Sequence, residues 1–407
     1  MANSNFEMTG KISLPKESDK FHPYTDTVYD SGWEKKRLMF NATCGDNSHL
    51  LAVEAGAFSD GHGEVYTFTK GSADSDGKKI KGELIKIPFK DRLTSKRLPE
   101  IAEFKKFIID LESQGRRYKL ENFAEKIKDG TSLTDNELKE VGLENESQVS
   151  EALEKSNKKR HEFISEWDFV DFIKKVLDSG KYADKKFFIR GNIVHTYSDS
   201  KQKVYQSYVP TRIYLASDDA EENSTATFNL LYGADAVDTM SVGETGKYFV
   251  NGYIMSYDNN RKSDIPVATT IVIPVAPEDA DEKAKKKVSV LCKKFEVDDD
   301  TYKELGVVVD MLNGAQKTEI TEDMLTDEQK EDLECGLIEM KDIIKEMGGS
   351  VYGERVQEYR FNKIARGFSK GRNDSIYTAD DMIIKPIKEE GTDETEDLFK
   401  DEDDDEL

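Results

Sequence analysis

Between residues 187 and 273 apolar and polar residues alternate in five short runs, and nothing in that stretch repeats with a helical period. The runs cover 187–193, 204–215, 226–232, 247–257 and 267–273, and polar clusters such as Ser198-Asp199-Ser200-Lys201 separate them. A period of two sends successive side chains to opposite faces, so each run is a strand with one face to bury. Gly191 and Gly252 sit inside the first and fourth runs. Five short strands with internal glycines suit a small closed barrel, where a strand must bend sharply to serve two sheets.

The first ninety-odd residues repeat the same grammar, with alternating runs at 6–14, 33–44, 51–55, 65–69 and 80–87. A short pattern, Phe-x-x-x-Gly-x-Ile, links the two regions. It occurs at 6–12 and 187–193, with Tyr in first place at 248–254, and more loosely at 302–308. Its three fixed residues share one strand face and leave room for a bend, which hints at repeated barrels. The five-strand count and the fourth strand led in by glycines resemble the oligonucleotide-binding (OB) fold of single-stranded DNA-binding proteins. That likeness covers about a fifth of the chain, residues 181–275.

Elsewhere the period is helical. Pro99 is placed like a first-turn proline, Phe104, Phe107, Ile108 and Leu111 form a stripe, and Gly115 ends it. A short helix around Leu120, Phe123 and Ile127 follows. Thr134 and Glu137 then read as a capping box, and a longer helix carries Phe163, Trp167, Val170 and Leu177. Beyond a polar linker, 288–295 and 305–312 look like strands, and a helix runs from Thr326 to Gly348-Gly349. The expected fold is α+β and mainly β. OB-like five-stranded barrels occupy 1–96 and 181–275, a helical segment 97–180, an α+β segment 285–387 and a disordered acidic tail 388–407. Whether 97–180 is a separate subdomain or an insertion in one barrel stays open.

A protein that holds single strands without sequence preference needs cations for phosphates and aromatic faces for bases. In the central region, inward Ile189 and Ile193 leave Arg190 and Asn192 outward. Inward Val209, Ile213 and Leu215 leave Gln206, Tyr208, Arg212 and Tyr214 outward, and inward Val250 and Ile254 leave Tyr253 and Tyr257 outward. In the first region the matching cluster is Trp33, Lys35 and Arg37. A third basic and aromatic cluster holds Arg360, Lys363, Arg366, Lys370 and Arg372. Exposed tyrosines and basic edge strands also occur where nothing binds, so these residues are candidates.

The net charge of −23 weighs against a nucleic-acid partner, which needs a basic surface. Its distribution softens the objection, because residues 388–407 carry twelve Asp/Glu and two Lys. Within that tail, Leu398 and Phe399 lie among acids, and Asp403, Asp404, Asp405, Glu406 and Leu407 end the chain. The tail resembles those of bacterial and phage single-stranded DNA-binding proteins, which recruit replication and repair partners. It departs from the cellular type in lacking a terminal Pro-Phe and a Gly/Gln/Pro-rich linker, and with its multi-domain body the chain looks more like a bacteriophage version than a host tetramer-former.

Three scattered cysteines (Cys44, Cys292, Cys335) fit a reducing compartment better than a disulfide framework. No apolar run approaches the ~20 residues of a membrane span, and the N-terminus has no basic-then-apolar signal. A cytoplasmic location is expected, the host cytoplasm if the protein is viral. Asp60, His62 and Glu64 make a weak metal set, and no phosphate loop, nucleophile elbow or zinc-protease motif occurs. No cofactor, metal or catalysis is expected. The sequence therefore points to non-catalytic single-stranded DNA binding in replication or recombination, with partners recruited by the tail. The competing expectation is a structural or virion-assembly protein using its barrels to bind protein.

Overall fold

The computed structural model describes residues 4–73, 79–276, 280–297, 301–318, 325–346, 351–365 and 373–385. Ten strands build the body. They are β1 (Asn5–Ser13), β2 (Trp33–Cys44), β3 (Asn47–Phe58), β4 (Lys186–Ser198), β5 (Lys203–Leu215), β6 (Asn223–Tyr232), β7 (Lys247–Asp258), β8 (Ser263–Pro274), β9 (Lys303–Thr318) and β10 (Val351–Ile364).

The first five close into a barrel in the order β1-β2-β3-β5-β4-β1, with β3 and β5 parallel and every other pair antiparallel. The second five close in the same order, β6-β7-β8-β10-β9-β6, with β8 and β10 as the parallel pair. A helix precedes the fourth strand of each barrel: α1 (Glu166–Asp178) and α2 (Glu282–Phe295). The first sends Phe169, Val170 and Ile173 into the core, the second Leu291, Cys292 and Phe295. A five-stranded Greek-key barrel with that helix placement is an OB fold, here present twice. The barrels are joined by antiparallel pairing of β1 with β6, from Asn5 opposite Thr227 to Thr9 opposite Asn223, and their interiors form one core.

Glycine sits where closure demands it. At Gly10, β1 passes from β4 to β2, and a Cβ there would lie 2.0 Å from the Thr43 carbonyl oxygen. At Gly252 in β7 it would lie 2.4 Å from the Leu231 carbonyl. Each fifth strand also carries a bulge. The β4–β5 register steps past Thr211 and the β9–β10 register past Asn362. Each bulge follows a tyrosine by three positions, within Gln206-x-Tyr208-x-x-x-Arg212-Ile213 and Gln357-x-Tyr359-x-x-x-Lys363-Ile364. The barrels thus share a local sequence as well as a topology.

The pairing overturns the expected partition into barrels within 1–96 and 181–275. The five central runs are all strands, but β4 and β5 complete the N-terminal barrel while β6, β7 and β8 begin the other. The segment 59–185 is an insertion between β3 and β4. It opens with a hairpin, Glu64–Phe68 with Leu84–Pro88, whose inner face covers Ile101 and Ile164. A second hairpin, Phe107–Asp110 with Arg160–Phe163, pairs in parallel with β5. Between its strands, helices Gln114–Lys128, Asp135–Glu140 and Val149–Asn157 enclose a small core of Leu120, Phe123, Leu138, Val141 and Val149. Arg117 ties this core to the hairpin through the buried Asp110 carboxylate and the Ser156 carbonyl.

Four local expectations change, the first being that Phe163 ends a strand and stands before helix α1 rather than on it. The stripe from Leu98 to Leu111 is not a helix but two 3-10 turns and the strand Phe107–Asp110, because pairing with β5 outweighs the apolar spacing. Residues 288–295 are helical, started by Asp281 accepting from the Ala284 amide at 2.7 Å. The helix after Thr326 is two short ones, Asp327–Glu334 and Met340–Glu346, parted by Gly336 at φ +70°. The expected tail, 388–407, lies outside the described residues.

Candidate functional site

A cleft of about 820 Å³ opens where the barrels meet. One wall is the outer face of β2 and β3 (Arg37, Met39, Leu50, Ala52) with the start of β5 (Tyr205 to Tyr208); the other is β8 at 267–270 and β10 at 357–359. A second cleft of about 610 Å³ lies on the C-terminal barrel and is lined by Tyr232, Asn251, Tyr253 and Tyr302. Ala268, Thr269 and Thr270 line both, so the two clefts adjoin along the same stretch of β8.

Two tyrosines in corresponding positions form the floor. The Tyr208 and Tyr359 hydroxyls lie 3.3 Å apart, and the Gln206 amide donates to each at 2.9 Å. Tyr208 packs edge-on against Phe6 (5.5 Å) and His49 (5.8 Å), and Tyr359 lies tilted against Phe228 (5.7 Å). Burial raises both phenol pKa values, so both remain neutral donors. Burial also lowers the His49 pKa, to about 4. Ser224 Oγ donates to the Met311 carbonyl at 2.8 Å, so the contact of 3.0 Å between His49 Nε2 and Ser224 Oγ requires the imidazole to donate.

Charge is held at the rim. Glu54 faces Arg37 at 3.1 Å and Lys35 at 3.6 Å. Glu358 accepts from Lys247 at 2.7 Å and from Arg360 at 2.6 Å. Burial would raise the Glu358 pKa, but those two cations outweigh it and lower it. Arg355 donates to Asn313 at 3.2 Å, and Asn313 in turn donates to the Ser48 carbonyl at 2.7 Å, bracing one barrel on the other.

Aromatic rings extend the path both ways. Tyr205 is 42% exposed and has the Lys203 ammonium 5.5 Å from its ring. Trp33 lies over Gly56 and edge-on to Phe58 (5.0 Å), which stacks on His62 at 3.8 Å. On the other barrel, Tyr257 is 51% exposed, and Thr270 donates to the Asn251 side chain at 2.8 Å.

The candidate residues fall into separate groups. Arg37 and Tyr208 line the cleft, with Lys35 and Trp33 on the same outer face. Tyr253 lines the second cleft, and Tyr257 lies further along the same row of β7. Tyr208 does not face outward as alternation implies. The bulge at Thr211 reverses the phase, so Gln206 and Tyr208 share the inner face while Tyr205 and Val209 turn out. Tyr214 keeps its outward phase but is buried beneath the insertion and stacked on Phe188. Arg212 donates to the Glu103 carbonyl and Arg190 pairs with Glu7, away from the cleft; Asn192 is half-buried opposite Val209. Arg360 is engaged by Glu358, and Lys363 lies exposed opposite Val308. Arg366, Lys370, Arg372 and the tail residues Leu398, Phe399, Asp403, Asp404, Asp405, Glu406 and Leu407 lie outside the described residues.

Sequence reasoning missed Tyr205 and Tyr302 as site residues, and Tyr359 entered it only as the head of the third basic and aromatic cluster. The Gln-x-Tyr repeat would have exposed Tyr359, and Tyr302 heads the loosest copy of the aromatic-glycine pattern. His62 hydrogen-bonds Asp60 and stacks on Phe58. Among the described residues no three His, Cys, Asp or Glu gather to hold a metal, and no helix is long and apolar enough to cross a membrane.

No family model and no curated protein matches this chain. One solved structure to which it is similar is a deletion mutant of the single-stranded DNA binding protein from Thermus aquaticus. The identity is 8%, 77% of this chain and 87% of that chain are covered, and the TM-score is 0.25.

Proposed function

We propose that this chain binds single-stranded DNA, without catalysis, along the groove that crosses both barrels. OB folds take oligonucleotides on the face of their second and third strands, and here the clefts on the two such faces adjoin along β8. That adjacency is the observation that carries the proposal. The groove offers neutral hydrogen-bonding groups on its floor (Tyr208, Tyr359, Gln206), rings along it (Tyr205, Tyr253) and Arg37 in its wall, with Trp33 and Lys35 on the same strand face as Arg37 and Lys203 beside the Tyr205 ring. A single strand has unstacked bases for the rings and phosphates for the cations, whereas a duplex hides its bases. The setting we infer is replication or recombination, in the cytoplasm, the host cytoplasm for a phage protein. The acidic tail is the segment that would engage partner proteins.

Binding of a fluorescein-labelled dT oligomer, compared with a duplex at two salt concentrations, tests this. Affinity should fall with salt at a logarithmic slope of roughly −0.7 per phosphate contact, and the duplex should bind more weakly. Equal affinity for duplex, or a flat salt response, refutes the proposal.

A further inference from the structure

The hairpin that opens the insertion buries one face and leaves the other bare. Thr67, Ile85 and Ile87 turn inward over Ile101 and Ile164, while Tyr66 (59% exposed), Phe68 (38%) and Leu84 (55%) turn outward. Phe104, 73% exposed, stands beside them, because the Lys105 ammonium lies 5.2 Å from the Phe68 ring and 5.7 Å from that of Phe104. The Lys86 ammonium lies 4.9 Å from the Tyr66 ring. Three accessible rings are thus each accompanied by a lysine. The surrounding sequence is basic in an otherwise acidic chain: residues 79–106 hold nine Lys/Arg against four Asp/Glu, where the whole carries −23.

From this face we infer a second stacking surface for the same single strand that the groove holds; the inference rests on the proposed single-strand binding. Two arguments select a nucleic acid over a protein. Lysine is depleted in protein interfaces, whereas lysine beside an open aromatic ring is what a strand of stacked bases and phosphates requires. The hairpin also follows directly in the chain on an aromatic row whose Trp33 shares a strand face with the groove's Arg37. The row Trp33, Phe58 and His62 ends two residues before Glu64, where the hairpin begins, and the Gly63 carbonyl accepts from the Phe89 amide at the hairpin's other end. The insertion therefore lengthens the footprint beyond the two barrels.

The test compares full-length wild type with a triple variant (Tyr66→Ala, Phe68→Ala, Phe104→Ala) and a charge-reversed one (Lys86→Glu, Lys105→Glu). Both are titrated with labelled dT oligomers of about 16 and about 50 nucleotides, lengths set by the roughly 4–16 nucleotides an OB barrel occupies. The triple variant should lose at least about tenfold in affinity for the long oligomer and less than about twofold for the short one. The charge reversal should reduce the logarithmic salt slope for the long oligomer by about 1.4. The replaced side chains are exposed, so thermal melting should hardly change. Unchanged affinity for both oligomers in both variants overturns the inference and is what a protein-docking face would give. An equal loss on both lengths overturns it too. If wild type binds neither oligomer, the single-strand reading itself falls and takes the hairpin's role with it.

Discussion

Side chains at the barrel junction divide sharply between those that hold the body together and those free to meet a ligand. Tyr208 belongs to the first kind, wedged between Phe6 and His49 with its hydroxyl against Tyr359. Replacing it with Ala should cost about 3 kcal/mol or more of stability, as large-to-small core changes do, seen as a lower urea midpoint. Tyr205, three residues away and 42% exposed, is of the second kind. Tyr205→Ala should leave the midpoint unchanged and weaken dT binding by about 1–3 kcal/mol, the worth of one stacked base. The opposite outcome for the pair would show that the strand faces are wrongly assigned. His49 adds a pH dependence. Its pKa falls from 6.5 to about 4 on folding, so the unfolded chain binds the proton more tightly. The resulting stabilisation is complete above pH 6.5 and is lost as pH falls from there toward 4. The full span amounts to about 3 kcal/mol. Urea midpoints at pH 7.5 and 4.5 should converge in His49→Gln relative to wild type.

At the scale of elements, strand existence was legible because period two survives in each run, while strand partnership was not. Nothing local says that β1 closes on β4, whose residues come some 180 positions later. Alternation also fails wherever a bulge inserts an unpaired residue, which is why the face of Tyr208 was misread and those of Tyr253 and Tyr257 were not. Helix α2 was hidden by the strand-like Val288 and Val290, although Leu291, Cys292 and Phe295 fall on one helical face. The aromatic-glycine pattern did mark places where strands crowd. Gly10→Ala sets a methyl against the Thr43 carbonyl and should destabilise the chain by about 1–3 kcal/mol. A substitution at Gly130, where nothing lies near the added carbon but φ is +78°, should cost about 1–2 kcal/mol through backbone strain alone. Melting curves of the two variants check both figures, with the larger loss expected at Gly10, where the obstacle is main chain that no side-chain trimming removes.

For the whole molecule, the distribution of charge matters more than its sum. Residues 388–407 carry twelve Asp/Glu and two Lys on a terminal segment, and Arg37 lines the groove with Lys35 on the same strand face. On the proposed function, that polyanion competes with DNA at the effective concentration of a tether. Deleting it should tighten dT binding at low salt, with the gain shrinking as screening shortens toward about 8 Å. It should also abolish capture of replication proteins and leave the melting temperature unchanged. Equal affinity at low salt, with every partner retained, would reduce the tail to a solubility device.

The insertion between β3 and β4 also sets a timetable. A ribosome that has just released β3 must add roughly 130 more residues before β4 even begins. At 5–20 residues per second this takes roughly 6 to 25 s. Throughout that interval three strands stand with open edges and an uncovered apolar face, the condition in which nascent chains aggregate. The hairpin and the helical core of the insertion are local in sequence and can fold meanwhile, leaving α1 ready to cover the barrel's end as β4 emerges. The order of synthesis thus leaves the insertion folded before the barrel it interrupts can close.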